Sequence, residues 1–173
     1  VRISRAKTQA TFPARFQLIA AMNPCPCGYH GNNDDRCRCT VDQVRRYRDR
    51  ISGPMLDRID MHVPVRALKQ GELHSKSDGD SSELIRERVE QTRARQIARQ
   101  GKANNLLSAP ELEKHCELNN SDKALLEHAI TKMGLSTRAY HRVLKVARTL
   151  ADMQNKIPPD TENISEALSY RTL

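Results

Sequence analysis

The sequence predicts an α+β protein that is mainly α-helical, with a short strand-containing part followed by a bundle of helices. Residues 1–66 contain short apolar runs with the pattern of strands, whereas residues 81–173 carry apolar positions at helical spacing between capping residues. The chain has 173 residues, of which 38% are hydrophobic and only 3% aromatic, so any core must consist largely of aliphatic side chains. We therefore expect a small α/β part of about three strands and a separate helical domain.

Three segments have the pattern of strands, and one helix is expected among them. Residues 1–3 alternate apolar and polar side chains, Phe16–Met22 is a short buried-strand candidate, and Ile59–Val65 places its apolar residues at alternate positions. Thr40 and Gln43 have the spacing of a capping box, which predicts a helix that runs to about residue 50. A Gly-Pro pair then breaks the helical pattern.

A linker and several helices follow. Residues 70–82 are rich in Gly, Ser and Asp, which is typical of a linker. The predicted domains are therefore residues 1–69 and residues 83–173. In the second domain, short loops between amphipathic helices predict a small bundle. The predicted helices begin at Ser82, Ser108, Ser121, Ser136 and about Glu162, and the fourth has an apolar stripe formed by Ala139, Val143, Val146, Ala147 and Leu150.

The net charge of the chain indicates which classes of partner it is expected to bind. The chain has 29 Lys and Arg against 21 Asp and Glu, a formal net charge of +8, which favours polyanions such as nucleic acid or nucleotide phosphates. No apolar run approaches the roughly 20 residues that span a bilayer, and the first residues lack the apolar centre of a secretory signal. We therefore expect a cytoplasmic protein without a membrane partner.

Three polar residues are candidates for phosphate chemistry. Asn23 ends an apolar run, where open α/β sheets place ligand-binding groups, although an Asn there more often caps the turn before Pro24. Arg58 lies between two aspartates, so it either faces a phosphate or forms a surface ion pair. Arg138 falls in the first turn of a predicted helix, where a cation opposes the helix dipole and an outside anion would compensate. Most of the other basic residues of that helix, His141, Arg142, Lys145 and Arg148, are expected on its solvated face.

A cysteine-rich loop, residues 24–40, carries the pattern C-x-C-x9-C-x-C. The four thiols belong to Cys25, Cys27, Cys37 and Cys39. Four thiolates suit one structural Zn²⁺ in a tetrahedron, although one intervening residue is tighter than the usual two to four. The alternatives are reduced thiols in a polar loop, or a disulfide formed by air oxidation. Cys116 stands alone and is expected to be a packing residue.

Several motifs together identify a resemblance. They are ISRA near the start, FPARFQLIAAMNPCPCGY, the CRCT pair, RYRDRISGPMLDRIDMHV and GLSTRAYHRVLKVARTLADM. With these motifs the chain resembles, over nearly its whole length, the C-terminal part of the magnesium-chelatase-like AAA+ ATPases of the bacterial competence protein ComM/YifB group. The resemblance implies the later part of an AAA+ α/β core followed by a helical lid.

The resemblance also implies a role for individual residues. Asn23 matches sensor 1, which positions the attacking water, and Arg58 matches the arginine finger that acts on ATP held by the adjacent subunit. Arg138 matches sensor 2, which reaches from the lid to the phosphates. Arg5 and Lys7 would lie on a hairpin that faces the central pore of related ring motors, which makes them candidates for DNA contact.

The implied function is that of a homo-hexameric motor that uses ATP and Mg²⁺ and acts on DNA, in helicase or branch-migration work during recombination or natural transformation. Two alternatives remain: a chelatase-type subunit that remodels a protein partner, and a non-catalytic, zinc-containing module that binds nucleic acid. The sequence contains no GxxxxGK[ST] loop and no strand that ends in paired acids. We therefore predict that this chain does not hydrolyse ATP alone.

Overall fold

The computed structural model describes residues 2–5, 8–14, 16–31, 35–67 and 79–171, and the chain divides into two compact units. The first unit, Val1–Arg48, contains the strands β1 (Arg2–Arg5) and β2 (Thr8–Thr11) and the helix α1 (Val41–Arg48). The predicted α+β, mainly α fold class is confirmed.

In the second unit, Asp49–Leu173, the described regular elements are all helices. Its helices are α2 (Gly53–Leu56), α3 (Ser82–Gln100), α4 (Ala109–His115), α5 (Asn120–Lys132), α6 (Thr137–Met153) and α7 (Thr161–Ser169), with a 3₁₀ turn at Asn104–Leu106. Over the ranges that the structure describes, no helix combines the length and the apolar character needed to cross a bilayer.

The first unit begins with an antiparallel hairpin. β1 pairs with β2 so that Arg5 lies opposite Thr8 beside the turn, and all residues of both strands are exposed. Further along, the predicted capping box starts α1: the backbone N–H of Gln43 donates to Thr40 Oγ1 at 3.3 Å, and the backbone N–H of Thr40 donates to Gln43 Oε1 at 2.9 Å. The first strand and this helix were therefore predictable from local pattern.

Two predicted strands are wrong. Phe16–Met22 and Ile59–Val65 are irregular in the structure, and among the described residues neither pairs with a strand. Their apolar side chains are largely exposed, including Phe16 and Val65. A strand is stable only where a neighbour accepts and donates its backbone hydrogen bonds, and the described part of the chain offers these segments no such neighbour.

Two helix starts also differ from the prediction. Gly53 and Pro54, predicted to break the helical pattern, instead open the one-turn helix α2, because Pro is tolerated in a first turn. The cap of α5 is Asn119, whose Oδ1 accepts from the backbone N–H of Asp122 at 2.8 Å, and Ser121 lies inside the helix. An Asn is as good a cap as a Ser, so sequence alone did not separate them.

The apolar core lies between α4, α5, α6 and α7. The stripe predicted for α6 is confirmed: Ala139, Val143 and Ala147 are fully buried, with Val146 and Leu150 partly buried against the cluster. The core also takes in Leu112, Leu126 and Ile164 from the surrounding helices. Cys116 is buried in this cluster, as predicted, and burial raises the pKa of its thiol to about 11.

Helix α3 meets the rest of the unit through polar side chains. Its buried residues are Thr92 and Gln96, whereas Leu84, Ile85 and Val89 remain 46%, 47% and 54% exposed. The apolar residues that the sequence placed on this helix therefore do not contribute to the core of the bundle.

A buried carboxylate joins α3 to α6. Asp152 accepts hydrogen bonds from Arg148 Nη2 at 2.7 Å, from Asn104 Nδ2 at 2.8 Å and from both terminal nitrogens of Arg99. Burial raises the pKa of Asp152, but these hydrogen bonds outweigh it and hold the pKa below its usual value. The prediction that Arg148 faces solvent is wrong, because its side chain is fully buried against this carboxylate.

We expect Asp152→Ala to lower the free energy of unfolding by about 3–5 kcal/mol, because Arg148 would remain buried without its counter-ion. The measurement is urea unfolding followed by far-ultraviolet circular dichroism. Asp80→Ala is the matched control, since the Asp80 carboxylate pairs with Arg88 at 2.9 Å on the surface and should contribute no more than about 1 kcal/mol. Equal losses in the two variants would contradict the importance of the buried carboxylate.

Candidate functional site

Four cysteine thiols of the first unit converge on one point. The Sγ atoms of Cys25, Cys27, Cys37 and Cys39 all lie within 4.8 Å of one another. Cys25 Sγ is 3.3 Å from Cys27 Sγ and 4.0 Å from Cys37 Sγ, and Cys27 Sγ is 3.8 Å from Cys37 Sγ. Tetrahedral zinc with bonds of about 2.3 Å separates its sulfurs by about 3.8 Å. The cluster therefore has the size and the donor set of a metal site that these four residues could form.

The thiols differ in acidity. A hydrogen bond from the backbone of Tyr29, followed by one from the Cys25 thiol, lowers the pKa of Cys27 to about 6. The backbone of Cys27 lowers the pKa of Cys39, but the Cys27 thiol and burial outweigh that effect and raise the Cys39 pKa to about 11. One thiolate thus opposes the formation of the next, and a cation among the sulfurs would relieve that repulsion.

The loop turns tightly beside Asn23. The backbone N–H of Gly28 donates to the Cys25 carbonyl at 3.0 Å, and both Gly28 and Gly31 have φ of +84°, a region that favours glycine. A Cβ on Gly28 would lie 3.8 Å from Asn23 Cγ, so the Asn23 amide packs beside this turn. Asn23 itself is exposed.

Arg58 follows α2 in the second unit and is exposed. Its Nη1 donates to the carbonyl of Pro54 at 3.0 Å, which closes the one-turn helix. The alternative of an ion pair with its neighbours is not observed in this part of the chain, because Asp57 pairs with Arg171 and Asp60 with Arg142. The guanidinium is therefore held by a neutral acceptor.

The segment that carries Arg58 is attached to the end of α7. Arg171 is buried. It donates through Nη1 to the carbonyl of Ile59, and its Nη2 lies 3.7 Å from an Asp57 carboxylate oxygen. The backbone N–H of His62 donates to the Tyr170 carbonyl at 2.7 Å. Burial, and next the charge of Arg171, lower the pKa of His62, so its imidazole is neutral at neutral pH.

The same segment is attached to α6, which also carries Arg138. Arg142 of α6 donates to the carboxylate of Asp60. Arg138 lies one turn earlier on that helix, a rise of about 6 Å. Its side chain is exposed, and within the described ranges it has no hydrogen-bond or ion-pair partner. One helix therefore anchors the Arg58 segment and presents Arg138 to solvent.

The structure describes one of the two hairpin residues that were predicted to contact DNA. Arg5 is exposed at the turn end of β1, whereas Lys7 lies outside the described residues. Contact of either residue with DNA stays a prediction.

Sequence reasoning missed the anchoring residues Arg142 and Arg171. Arg171 contacts a carbonyl 112 positions earlier in the chain, and no local spacing indicates such a pair. The only signal was indirect: Asp57 and Asp60 needed cationic partners, and Arg58 was the nearest candidate.

Two family models together match almost the whole chain. Residues 79–171 match the model described as magnesium chelatase, subunit ChlI C-terminal, and residues 1–73 match the model described as magnesium chelatase, subunit ChlI. The first match alone covers more than half of the chain. The chain belongs to the magnesium chelatase ChlI family. The two matches meet between residues 73 and 79, within the predicted linker 70–82.

Individual relatives agree with this family. The chain is 46% identical over 172 residues to competence protein ComM of Haemophilus influenzae, covering 99% of this chain and 33% of that protein. It is 42% identical to the uncharacterized protein YifB of Escherichia coli, covering all of this chain and 34% of that protein. It is 36% identical to the uncharacterized protein Rv2897c of Mycobacterium tuberculosis, with 99% and 34% covered. The chain thus spans about a third of the length of these curated relatives.

We expect Arg171→Ala to free the segment that carries Arg58. Hydrogen bonds that involve a charged group are worth about 1.5–3 kcal/mol, so exchange of the His62 amide should become roughly 10- to 100-fold faster. Amide hydrogen exchange measured by NMR is the test. Arg138→Ala, which removes an exposed guanidinium from the same unit, should leave that amide unchanged. Unaltered protection of His62 in Arg171→Ala would contradict the anchoring role.

Proposed function

We propose that this chain supplies the sensor, the trans-acting arginine and the lid of a hexameric, ATP-driven motor that acts on DNA. The observation that carries the proposal is the attachment of the Arg58 segment to α6, the helix that exposes Arg138. Phosphoryl transfer depends on fixed positive charge at the phosphates, and arginine is a permanently charged fork that matches phosphate oxygens. Two such forks on one unit suit a nucleotide site shared between subunits.

Each residue has a distinct part in the proposed reaction. Arg58 would act on the ATP of an adjacent subunit, Arg138 would contact the phosphates from the lid, and Asn23 would orient the attacking water. The Pro54 carbonyl that Arg58 contacts is a neutral acceptor, so exchanging it for a phosphate oxygen breaks no ion pair. Binding of the triphosphate and Mg²⁺ would rest on parts of the relatives that this chain does not span, since the sequence has no GxxxxGK[ST] loop.

DNA is the proposed substrate of the motor. The net charge of +8 supports a polyanionic partner, and one relative is named a competence protein. We infer helicase or branch-migration work in recombination or natural transformation. The second candidate, a chelatase-type subunit that remodels a protein partner, is favoured by the name of the family model. DNA should stimulate ATP hydrolysis by the motor, whereas a chelatase subunit should respond to its protein partner.

In a full-length protein that carries this segment, we expect Arg58→Ala to lower the rate of ATP hydrolysis by about 10³-fold or more, the effect typical of a trans-acting arginine. The variant should regain turnover when mixed with subunits that cannot bind nucleotide, because each partner supplies what the other lacks. Steady-state ATPase assays across mixing ratios are the measurement.

Arg93→Ala, which removes an exposed arginine from α3, is the control and should retain full activity. Loss of activity in Arg58→Ala without recovery on mixing would contradict action in trans. Stimulation of the wild-type protein by a protein partner but not by DNA would instead favour the chelatase alternative.

We also propose that the cysteine cluster binds one Zn²⁺. Its four sulfurs have the spacing of a tetrahedral site, and four cysteine ligands leave no open coordination position for catalysis. The metal would be structural, and it would fix the turn beside which Asn23 packs. The alternative is four reduced thiols without a metal.

Protein purified without chelator should therefore contain one zinc per chain, measured by native mass spectrometry. Cys27→Ser should lose this zinc to a competing chelator, since removal of one thiolate opens the tetrahedral site. Cys116→Ala, which removes the buried thiol of the helical core, should keep it. Wild-type protein without zinc and with four freely titrating thiols in the loop would contradict the assignment.

A further inference from the structure

The positive charge of the chain is concentrated in the first unit. Residues 1–48 contain nine Lys and Arg against three Asp and Glu, whereas residues 49–173 contain twenty against eighteen. The first unit thus carries a net charge of +6 in 48 residues, and the much larger second unit carries +2. A field of this density attracts polyanions and speeds their association.

Five exposed arginines of the cysteine loop and α1 supply most of this charge. This set, named the basic surface, consists of Arg36, Arg38, Arg45, Arg46 and Arg48. Arg45 and Arg48 lie three positions apart on one side of α1, and Arg46 lies about 100° further around the helix axis. Arg36 lies over the ring of Tyr29, with its guanidinium carbon 4.6 Å from the ring centre. Acidic residues are few here: Asp35 and Asp42 are the only carboxylates among the described residues of this unit.

The basic surface is built on a short, fixed framework. Cys39 directly precedes Thr40, which caps α1, so the helix begins where the thiol cluster ends. At the other end of the helix, Arg48 Nε donates to the carbonyl of Pro24, which directly precedes Cys25. The helix is therefore tied to the loop at both ends, and its arginines keep their positions relative to the cluster.

We propose that this basic surface binds the phosphate backbone of nucleic acid, independently of sequence. The inference rests on the proposed function, in which DNA is the substrate, and it assigns a binding surface other than the hairpin of Arg5 and Lys7. The backbone of a helix that is fixed at both ends has little conformational freedom left to lose on binding, the planar guanidinium group is pre-organised for hydrogen bonding, and each phosphate contact releases bound counter-ions. The guanidinium planes can also donate two hydrogen bonds to one phosphate.

The helix dipole is a second explanation for why arginines occur in α1. Arg45, Arg46 and Arg48 occupy the last turn of α1, where cations stabilise the helix. The helix dipole does not apply to Arg36 and Arg38, because both lie on the loop before the helix begins, where Arg36 contacts the Tyr29 ring. The two accounts differ in what substitution does: a dipole role changes helix content, and a phosphate role changes affinity for a polyanion.

The test is binding of this chain to a fluorescein-labelled DNA duplex, followed by fluorescence anisotropy at several salt concentrations. The double variant Arg45→Gln/Arg46→Gln should bind about tenfold more weakly, and the slope of log affinity against log salt should fall by up to about 2, since each phosphate contact contributes about 0.9. The variant Arg45→Lys/Arg46→Lys, which keeps both charges, should retain most of the affinity.

The matched control removes two charges from the second unit, as Arg86→Gln/Arg93→Gln on α3, where both arginines are exposed. An equal loss in this control would overturn the proposal, because affinity would then follow net charge alone. Circular dichroism of each variant shows whether α1 has unfolded. If it has, Arg38→Gln, which leaves the helix intact, is measured instead and must weaken binding.

The remaining outcomes separate this proposal from the motor. If Arg5→Gln removes DNA binding while Arg45→Gln/Arg46→Gln retains it, the surface is wrong and the DNA motor stands. If the wild-type chain fails to bind DNA even at low salt, both proposals fail. If poly-glutamate displaces the chain as effectively as DNA of equal charge, the partner is an acidic protein and the nucleic-acid assignment is overturned.

Discussion

The helical unit depends on one ionised carboxylate in its interior. Asp152 receives hydrogen bonds from α3, from the 3₁₀ turn and from its own helix, and it neutralises the fully buried Arg148. Arg148 in turn donates to the carbonyl of Lys156, where the chain leaves α6. Since the apolar side chains of α3 are exposed, this polar cluster, rather than hydrophobic contact, joins α3 to the bundle.

Contacts within the helical unit link Arg58 and Arg138, the two arginines proposed to act on nucleotide phosphates. Arg142 and Arg171 hold the segment of Arg58 against α6 and the end of α7, and α6 carries Arg138. A movement of the helical unit would therefore carry both guanidiniums together. In the proposed ring of subunits, one domain motion would then change the contacts at two neighbouring nucleotide sites.

Local patterns were predictable from the sequence and long-range ones were not. The capping box at Thr40, the apolar stripe of α6 and the convergence of four cysteines all follow from residues close in the chain. The segment Phe16–Met22 has a strand pattern but no pairing partner among the described residues, so its propensity is not realised. The prediction for Arg148 was wrong because a charged side chain is expected to be exposed unless a buried counter-ion is known.

No residue separates the thiol cluster from α1, since the capping residue Thr40 follows Cys39 directly. An α-helix turns by about 100° per residue. A single inserted residue in the first turn of α1 would therefore swing the later arginines about a quarter of the way around the axis and point them away from their present direction. The direct junction of Cys39 and Thr40 therefore sets the direction in which the arginines of α1 point relative to the four thiols.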